Sequence, residues 1–544
     1  MMNKKGSIKV FLGLVVIVGL LMYLGLFNVF CQEAGESKKG LAAEQVVVVG
    51  LLAGDLGTVD PMGGVLLQDV FMYRHVFGSL VSSPLGNSNS PDFLPNLATS
   101  WELSDDNLTW TFHLRKGVQW HFGYGEFTSE DVVYSLNRVR ESKISVFCKS
   151  YDNFKEIKAI DKYTVQITTA EPDPFFLKKV ANYFGGFIIC KKSTEEAGAF
   201  DRGLTPSQKV LVGTGPFKFA EYKPKNQIVF VRNDEYWGEK PIIEKIIGKY
   251  FPSEEARELA LLSGEIASVR AIDDKIWLEN MKSRGMIIEP NGPIDLKVIY
   301  FNLKVKPFDD KRVREAFAYT IGQEAIMQMQ GEEISEYCNS PVPTDCYGNI
   351  DAGWEKYIHP DLEKAKKLLA EAGYPDGFTV KLFMSSGGWL LDKMIIFQDL
   401  LKEVGIILDM TVVDHTIYKS KMQQGLNPIG IWGTRFPLAT DWLVNFYSTE
   451  AIVGGPKAVY NWMYYSNPEV DKLIEIAITT FDEKTRLEAL AKAQKIIVED
   501  LPSIPVIESY SPQVRHPWFD IGYTLKSNFI FTYEIGPQTK ILEH

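Results

Sequence analysis

The sequence predicts an α/β protein built from two or three domains. Its 544 residues exceed what one hydrophobic core usually accommodates. The first half is rich in short β-branched or alternating stretches bounded by turn residues, such as residues 46–52 and 109–115. Between residues 361 and 413 the pattern changes to helix, strand, helix and strand, which is typical of a parallel α/β lobe.

Strand patterns recur along the first half, at residues 46–52, 109–115, 163–169, 215–222 and 227–233. In the second half, residues 361–372 have apolar side chains at helical spacing, with Pro360 before them and Gly373 after them. We predict strands at 378–384 and 406–413, helices at 393–404, 467–480 and 482–500, and an extended segment at 501–509.

The composition is that of a folded, acidic protein. Hydrophobic residues make up 45% of the chain and charged residues 23%, which excludes intrinsic disorder as the general state. The formal net charge is −11. Phosphate backbones repel such a surface, so we expect no nucleic-acid partner.

The N-terminal segment predicts the compartment. Three lysines precede an apolar run at residues 10–30 that is long enough to span a bilayer. The length favours an uncleaved anchor, whereas Cys31 at its end resembles the lipid-attachment cysteine of bacterial lipoproteins, and both alternatives stay open. Residues 32–44 are polar and small, as in a flexible tether. We therefore expect a membrane-tethered body outside the cytoplasm.

The remaining cysteines suggest disulfides rather than metal ligation. Cys338 and Cys346 bracket a short loop, so an exported protein is expected to join them, and Cys148 and Cys190 form a second candidate pair. The alternative is buried free thiols. Scattered histidines without metal-ligand spacing predict no metal or cofactor. Because the GxSxG, HExxH, GxGxxG and GxxxxGK[ST] motifs are missing, we expect no enzyme.

A series of short motifs occurs in a fixed order along the body. They are PNLATSWE at 95–102, FTSEDVVYS at 127–135, GTGPFKF at 213–219, RNDEYWG at 232–238, FDDKRVREAF at 308–317 and YSNPEVD at 465–471. In this order they resemble the motifs of oligopeptide-, dipeptide- and nickel-type solute-binding proteins of ABC importers, known as family 5. The resemblance covers about residues 46–508. These motifs fall at helix starts and strand ends, so they indicate fold and not ligand.

The resemblance implies a periplasmic-binding-protein-like two-lobe fold with an extra inserted domain. Its expected parts are a signal or anchor segment at 1–31, a tether at 32–44, domain I at 45–75, 210–300 and 515–544, domain II at 76–209 and domain III at 301–514. A monomeric receptor would hold a small solute between domains I and III and deliver it to the permease subunits of an ABC importer. Closure is expected about hinges near Pro293 and Pro512.

The resemblance also points to a ligand-binding string at residues 430–437. Peptide-binding relatives have an Asp three residues after a Trp, and that Asp holds the α-ammonium group of the ligand. Here Trp432, Gly433 and Thr434 are followed by Arg435. An arginine offers a rigid fork of donors to a carboxylate and repels an amine. We therefore expect an anionic or carboxylate-bearing solute in place of an ordinary peptide.

Alternatives to this interpretation stay open. Arg435 could instead be a rim residue paired with a local acid, or Asp441 could take the amine-binding role. Nickel chelates and haem are alternative ligands within the family, and a secreted hydrolase or peptide-holding chaperone is the alternative from another class. The other cleft candidates are Asp60, Met62, Ser385, Ser386, Trp389, Asn461 and Trp462.

Overall fold

The structure is a computed structural model. It describes residues 40–51, 55–64, 66–181, 185–198, 205–292, 295–436, 438–455, 460–527 and 533–544. The side chains of residues 67, 388 and 389 lie outside this description. Cys31, the apolar segment, most of the tether and Pro293 also fall outside it, so the predictions on them are not addressed by the structure.

The first sheet gathers strands from widely separated parts of the chain. Within the described residues it has seven strands, in the spatial order Phe217–Lys223, Gln227–Arg232, Lys245–Tyr250, Val46–Leu51, Ser268–Arg270, Gln513–Arg515 and Ile287–Glu289. Val46–Leu51 pairs in parallel with Lys245–Tyr250 near the middle, where its β-branched side chains are buried. We call this sheet and its helices the first lobe.

The second sheet is antiparallel and local in sequence. Its strands are, in order, Ala98–Leu103, Thr109–Leu114, Thr164–Thr169 and Phe154–Asp161. Thr109–Leu114 alternates buried and less buried positions, as expected for a sheet with one face against the core. We call this sheet, with helix Ser129–Val139, the second lobe.

The third sheet forms the base of the third lobe. Its strands are Ser335–Glu336, Ser503–Ser509, Asp295–Phe301 and Ile429–Thr434, all antiparallel to their neighbours. Beside it, Phe378–Ser385 and Ile406–Val413 form a parallel pair connected through helix Gly388–Lys402. The parallel α/β arrangement predicted for this lobe is confirmed for this pair of strands. It is wrong for the four-stranded third sheet, which is antiparallel and is assembled from strands distant in sequence.

Helices cover the sheets, and several begin at the polar residues that the sequence indicates. Asp361 caps helix Leu362–Glu371, its side chain accepting a hydrogen bond from the backbone N–H of Lys364. The other long helices are Leu67–Val76, Glu254–Leu262, Lys275–Ser283, Lys311–Ile321, Glu324–Gln330, His415–Gln423, Ala439–Tyr447, Pro468–Thr479 and Glu483–Asp500. The shorter ones are Phe176–Lys179 and Lys191–Glu196.

The hydrophobic cores divide the molecule into two bodies. One large cluster contains buried residues of both the first and the second lobe, whereas the third lobe has a cluster of its own. A smaller cluster on the first sheet also includes Ile334, which precedes the third-lobe strand Ser335–Glu336. The chain passes between these bodies twice, after strand Ile287–Glu289 and before Asp295–Phe301, and again at residues 510–512. The two crossings lie side by side, since the backbone N–H of Ser511 donates to the carbonyl of Asn291. Pro512 lies in the second crossing.

Strand pairing moves two of the expected domain boundaries. Asp295–Phe301 belongs to the third sheet, so residues 295–300 do not belong with domain I. Gln513–Arg515 pairs within the first sheet, so residues 513–514 do not belong with domain III. The division into three domains otherwise stays a prediction.

The disulfide expectation is wrong for this structure. Cys338, Cys346, Cys148 and Cys190 are all free thiols. Cys346 is buried with its Sγ 2.9 Å from the carbonyl oxygen of Phe436, and Cys338 is held in the core by backbone hydrogen bonds to the side chain of Gln323. The alternative of buried free thiols therefore applies to Cys190, Cys338 and Cys346, whereas Cys148 is a partly buried free thiol.

Candidate functional site

Two neighbouring strands of the third sheet position the predicted ligand string. Ile429–Thr434 runs antiparallel to Asp295–Phe301, and Gly433 lies directly opposite Lys297. A Cβ atom at Gly433 would come within 2.8 Å of Asp295 Oδ1 and 2.9 Å of Lys297 Cγ. The glycine therefore leaves room for both side chains, which explains its place in the string without a ligand contact.

Arg435 follows this strand and joins Asp295 and Lys297. Its Nη2 lies 3.5 Å from Asp295 Oδ2, and Lys297 Nζ lies 3.7 Å from the same oxygen. Lys297 also donates to Ser509 Oγ on the adjacent strand. The Lys297 side chain is 8% exposed, that of Asp295 17% and that of Arg435 27%. A buried carboxylate is thus shared by two cations.

Lys393 adds a third positive charge. It projects from the buried side of helix Gly388–Lys402 and is only 3% exposed. Burial lowers the pKa of Lys393 to about 8, and the like charge of Lys297 acts in the same direction, while Asp295 and Asp273 oppose it. We call Lys297, Lys393, Arg435 and Asp295 the cation cluster.

The cation cluster carries more positive than negative charge. Among the described side chains, Asp295, Asp273 and Asp392 are the carboxylates that act on Lys393, and Asp273 is already 3.4 Å from Arg270 of the first lobe. Charges of one sign in a poorly hydrated place are costly unless a counter-ion joins them. The cluster lies beside the crossing at residues 510–512, because Arg270 Nε donates to Ser511 Oγ. The cation cluster is therefore a candidate site for an anion, close to the second crossing between the two bodies.

Trp432 lies away from this charge. It pairs with Val298, next to the Lys297–Gly433 pair, and successive strand residues point to opposite faces of a sheet. Its ring stacks on His415, with centroids 5.6 Å apart, and meets Trp462 edge-on at 5.1 Å. Tyr460 lies 6.3 Å from it. Trp432 and Trp462 are thus brought together, but in a largely buried aromatic group on the other face.

The serines after strand Phe378–Ser385 have different surroundings. Ser385 is buried, with its Oγ 3.0 Å from His415 Nδ1 and accepting a hydrogen bond from the Gly387 N–H. Ser386 is exposed. Trp389 lies in the first turn of the following helix, and its side chain is outside the description. Ser385 therefore contacts the aromatic group rather than the cation cluster.

Asp60 and Met62 have a structural explanation. Asp60 is buried, accepts a hydrogen bond from the backbone N–H of Met62 and forms a 2.7 Å ion pair with Arg138 of the second lobe. Met62 is fully buried in the core that the two lobes share. These contacts favour the turn alternative for this loop over a surface that faces the solute.

Asn461 and Asp441 are also engaged elsewhere. Asn461 is buried, and its side chain bonds to the backbone of Ser448 and Tyr465. Burial raises the pKa of Asp441 to about 6, against the opposing effect of Lys178 and Lys179 of the second lobe. Asp441 thus faces the second lobe, which weakens the alternative in which it binds an amine.

Sequence reasoning named Arg435 and missed its partners. Asp295, Lys297 and Lys393 lie 42 to 140 positions away along the chain and come together only through strand pairing and helix packing. A clue was available at Lys393, which follows the buried Leu390 by three residues and so lies on the apolar side of its helix. A lysine on the buried side of a helix is rarely found without a charged partner or a ligand.

A cavity of about 260 Å³ lies elsewhere, between the first and second lobes. Its walls include Phe77, Leu94, Thr214, Tyr236 and Trp237. It shares no residue with the cation cluster and lies within the body that has a common core. We therefore place the candidate solute site at the cation cluster, where the two bodies meet.

Comparison with known proteins identifies the family. The family model described as bacterial extracellular solute-binding proteins, family 5 Middle, matches residues 92–453. The chain belongs to this family. Family 5 consists of extracytoplasmic solute-binding receptors, so the resemblance carried by the motifs is confirmed, and with it the function of a receptor of the ABC-importer type.

Individual relatives cover most of the chain. Heme-binding protein A of Haemophilus influenzae is 29% identical over 81% of this chain and 84% of its own length. The dipeptide-binding protein of Escherichia coli K12 is 27% identical over 80% of this chain and 84% of its own length. The solved structure of MoaA from A. tumefaciens R10, in complex with mannopinic acid, is 32% identical, with a TM-score of 0.75, covering 92% of this chain and all of that one.

The fold class is confirmed by the same comparisons, because the similar structures are periplasmic binding proteins. Over the part of the chain that the structure describes, none of the helices is a candidate membrane span. The same residues contain no group of three His, Cys, Asp or Glu side chains placed to hold a metal ion.

Proposed function

We propose that this receptor captures a small solute with a carboxylate or another anionic group and delivers it to an ABC importer. The observation that carries the proposal is the cation cluster, in which Lys297, Lys393 and Arg435 surround Asp295. Charge-assisted hydrogen bonds from arginine and lysine are the strongest contacts that a protein offers to a carboxylate. An anionic group bound there neutralises the excess charge.

Relatives support an acidic solute without defining it. The relative named MoaA was solved with mannopinic acid, and another similar structure, AgaA, at 24% identity, was solved with agropinic acid. Other relatives are named for haem, dipeptide or glutathione. The family thus accepts solutes of several sizes, and the charge at Arg435 favours the acidic ones for this chain.

The remaining parts of the proposal concern movement and attachment. The core of the third lobe and the two crossings, joined by the hydrogen bond between Ser511 and Asn291, support closure of one body on the other about these connections. The receptor is proposed to act as a monomer. The N-terminal apolar run supports attachment at the outer face of the membrane, either by that run or by a lipid on Cys31.

Native mass spectrometry tests the proposal most directly. The chain purified from its host without denaturation should carry a solute with acidic groups, released on unfolding. Replacing Arg435 with Ala should reduce the retained amount, whereas Arg312→Ala, on an exposed Arg–Asp pair of the same lobe, should not. A retained solute that is a cation without any acidic group would contradict an anion site.

A further inference from the structure

Asp295 has one oxygen engaged with the cations and one without a partner. Oδ2 is the atom near Arg435 and Lys297, at 3.5 and 3.7 Å. Oδ1 is buried and accepts no hydrogen bond. Buried carboxylate oxygens are nearly always satisfied, because an unmet acceptor costs the desolvation of that atom. The unpartnered oxygen therefore needs an explanation.

The surroundings of Oδ1 explain why the protein itself does not satisfy it. Gly433 lies directly beside this oxygen on the neighbouring strand, and a Cβ there would approach it to 2.8 Å. The backbone groups of Gly433 and Lys297 are used in pairing the two strands. The glycine thus lets Oδ1 lie close to the neighbouring strand, at a position where residue 433 has no side chain that could donate to it.

We propose that Oδ1 of Asp295 accepts a hydrogen bond from an N–H or O–H donor that the solute carries next to its anionic group. This inference rests on the proposed anion site. It assigns the solute to the class of acids with a donor on the adjacent carbon, such as α-hydroxy acids, or α-amino acids whose ammonium group pairs with Asp295, because that carboxylate offsets the repulsion between the ammonium and the cations.

The geometry fits this class. The cations that would hold the anion are within 4 Å of Oδ2, so a bound carboxylate lies next to the carboxyl group of Asp295. A donor on the adjacent carbon of the solute then reaches Oδ1 at ordinary hydrogen-bond distance. A plain carboxylate meets the same cations, but it also meets the repulsion of Asp295 without a compensating donor.

Calorimetry with two matched pairs of probes tests the inference on the full chain. The pairs are L-glutamate with glutarate and L-phenylalanine with 3-phenylpropionate, which differ only in the α-amino group. Wild type should bind the amino member of at least one pair about tenfold more tightly, as expected for a charge-assisted hydrogen bond. In Asp295→Asn this preference should fall to about twofold or less, with the deamino member binding more tightly than before because a competing negative charge is removed.

Two further variants make the result decisive. Asp273→Asn removes a nearby negative charge without touching Oδ1, and it should keep the preference. Gly433→Ala pushes on Oδ1 without changing any charge, and it should weaken the preference even if Asp295→Asn does not fold.

The inference is overturned if the preference survives in both Asp295→Asn and Gly433→Ala, or if wild type shows no preference or binds none of the probes at millimolar concentration. Arg435→Ala separates the two proposals, because it should weaken all bound probes alike. Loss of the preference in Asp295→Asn together with unchanged binding in Arg435→Ala would refute the anion site and retain the donor contact.

Discussion

Two buried groups of charges in this molecule differ in their balance. Asp60 and Arg138 form a 2.7 Å ion pair between the loop after the first strand and the second lobe, and both are almost fully buried. In the third lobe, Arg435 and Lys297 lie 3.5 and 3.7 Å from Asp295, and Lys393 is near enough to feel the charges of Lys297 and Asp295. The first group joins one cation to one anion, whereas the second has an excess of cations.

The difference separates a structural role from a binding role. A buried pair with good geometry holds two segments in place, and removing one partner leaves an uncompensated charge. A group with excess charge of one sign gains less for the fold than a balanced pair and is suited to binding a counter-ion. Substitutions in the two groups should therefore affect different measurements.

The largest effect is expected on stability, from the balanced pair. Arg138→Met leaves Asp60 buried without its cation, so the free energy of unfolding should fall by about 3 to 5 kcal/mol. Arg140→Met, two residues further along and half-buried, should change it by less than about 0.5 kcal/mol. Urea denaturation measures both. Equal small losses would mean that the pair does not hold the loop.

The next effect is on binding, from Arg435. Arg435→Ala should cost about 2 to 4 kcal/mol of binding free energy, or at least about thirty-fold in affinity for glutarate or for the solute found by mass spectrometry. Arg435→Lys should recover part of this loss, since an ammonium supplies charge without the planar fork. If calorimetry gives wild-type affinity for Arg435→Ala, Arg435 is a rim residue.

A smaller effect is expected from pH, through Lys393. Its pKa of about 8 in the solute-free protein means that it is charged below pH 8 and loses its proton above it. Affinity for glutarate, whose carboxylates stay ionised, should be constant near pH 7 and fall above pH 8, by at most about tenfold per pH unit. Lys393→Met should bind more weakly at pH 7 and lose this dependence. A wild-type affinity that does not change from pH 7 to 9.5 would contradict it.

The smallest effect sharpens the contrast with Arg138. Lys297→Met removes one of several like charges and leaves Asp295 with Arg435, so the free energy of unfolding should change by less than about 1 kcal/mol or rise. Glutarate binding should weaken in the same variant. A destabilisation as large as that of Arg138→Met would show that Lys297 belongs to the framework and not to the site.

The sequence predicts the local parts of the fold well. Capping by Asp361 and the alternation in Phe378–Ser385 depend on neighbouring residues, and both elements occur near the expected bounds. The antiparallel third sheet was not predictable in the same way. Its strand Asp295–Phe301 pairs with Ile429–Thr434, more than a hundred residues later, and with Ser503–Ser509, more than two hundred residues later. No local pattern encodes this pairing.

Of the residues in the cation cluster, the sequence predicts only Arg435. Arg435 stands out because it reverses a charge that relatives place there, but the register that brings Lys297 opposite Gly433 has no trace in either segment alone. The same limit explains the cysteines. Spacing shows that a loop of nine residues can close, but burial and the contact of Cys346 with Phe436 decide that the thiols stay apart.

All four members of the cation cluster belong to the third lobe, and this has a kinetic consequence. An anion can meet the complete set of charges while the cleft is open, so the association rate should be fast, salt-dependent and indifferent to the hinges. The lifetime of the complex is then set by the opening of the first lobe over the trapped solute. Capture and retention are thereby assigned to different bodies of one chain, and each can change without the other.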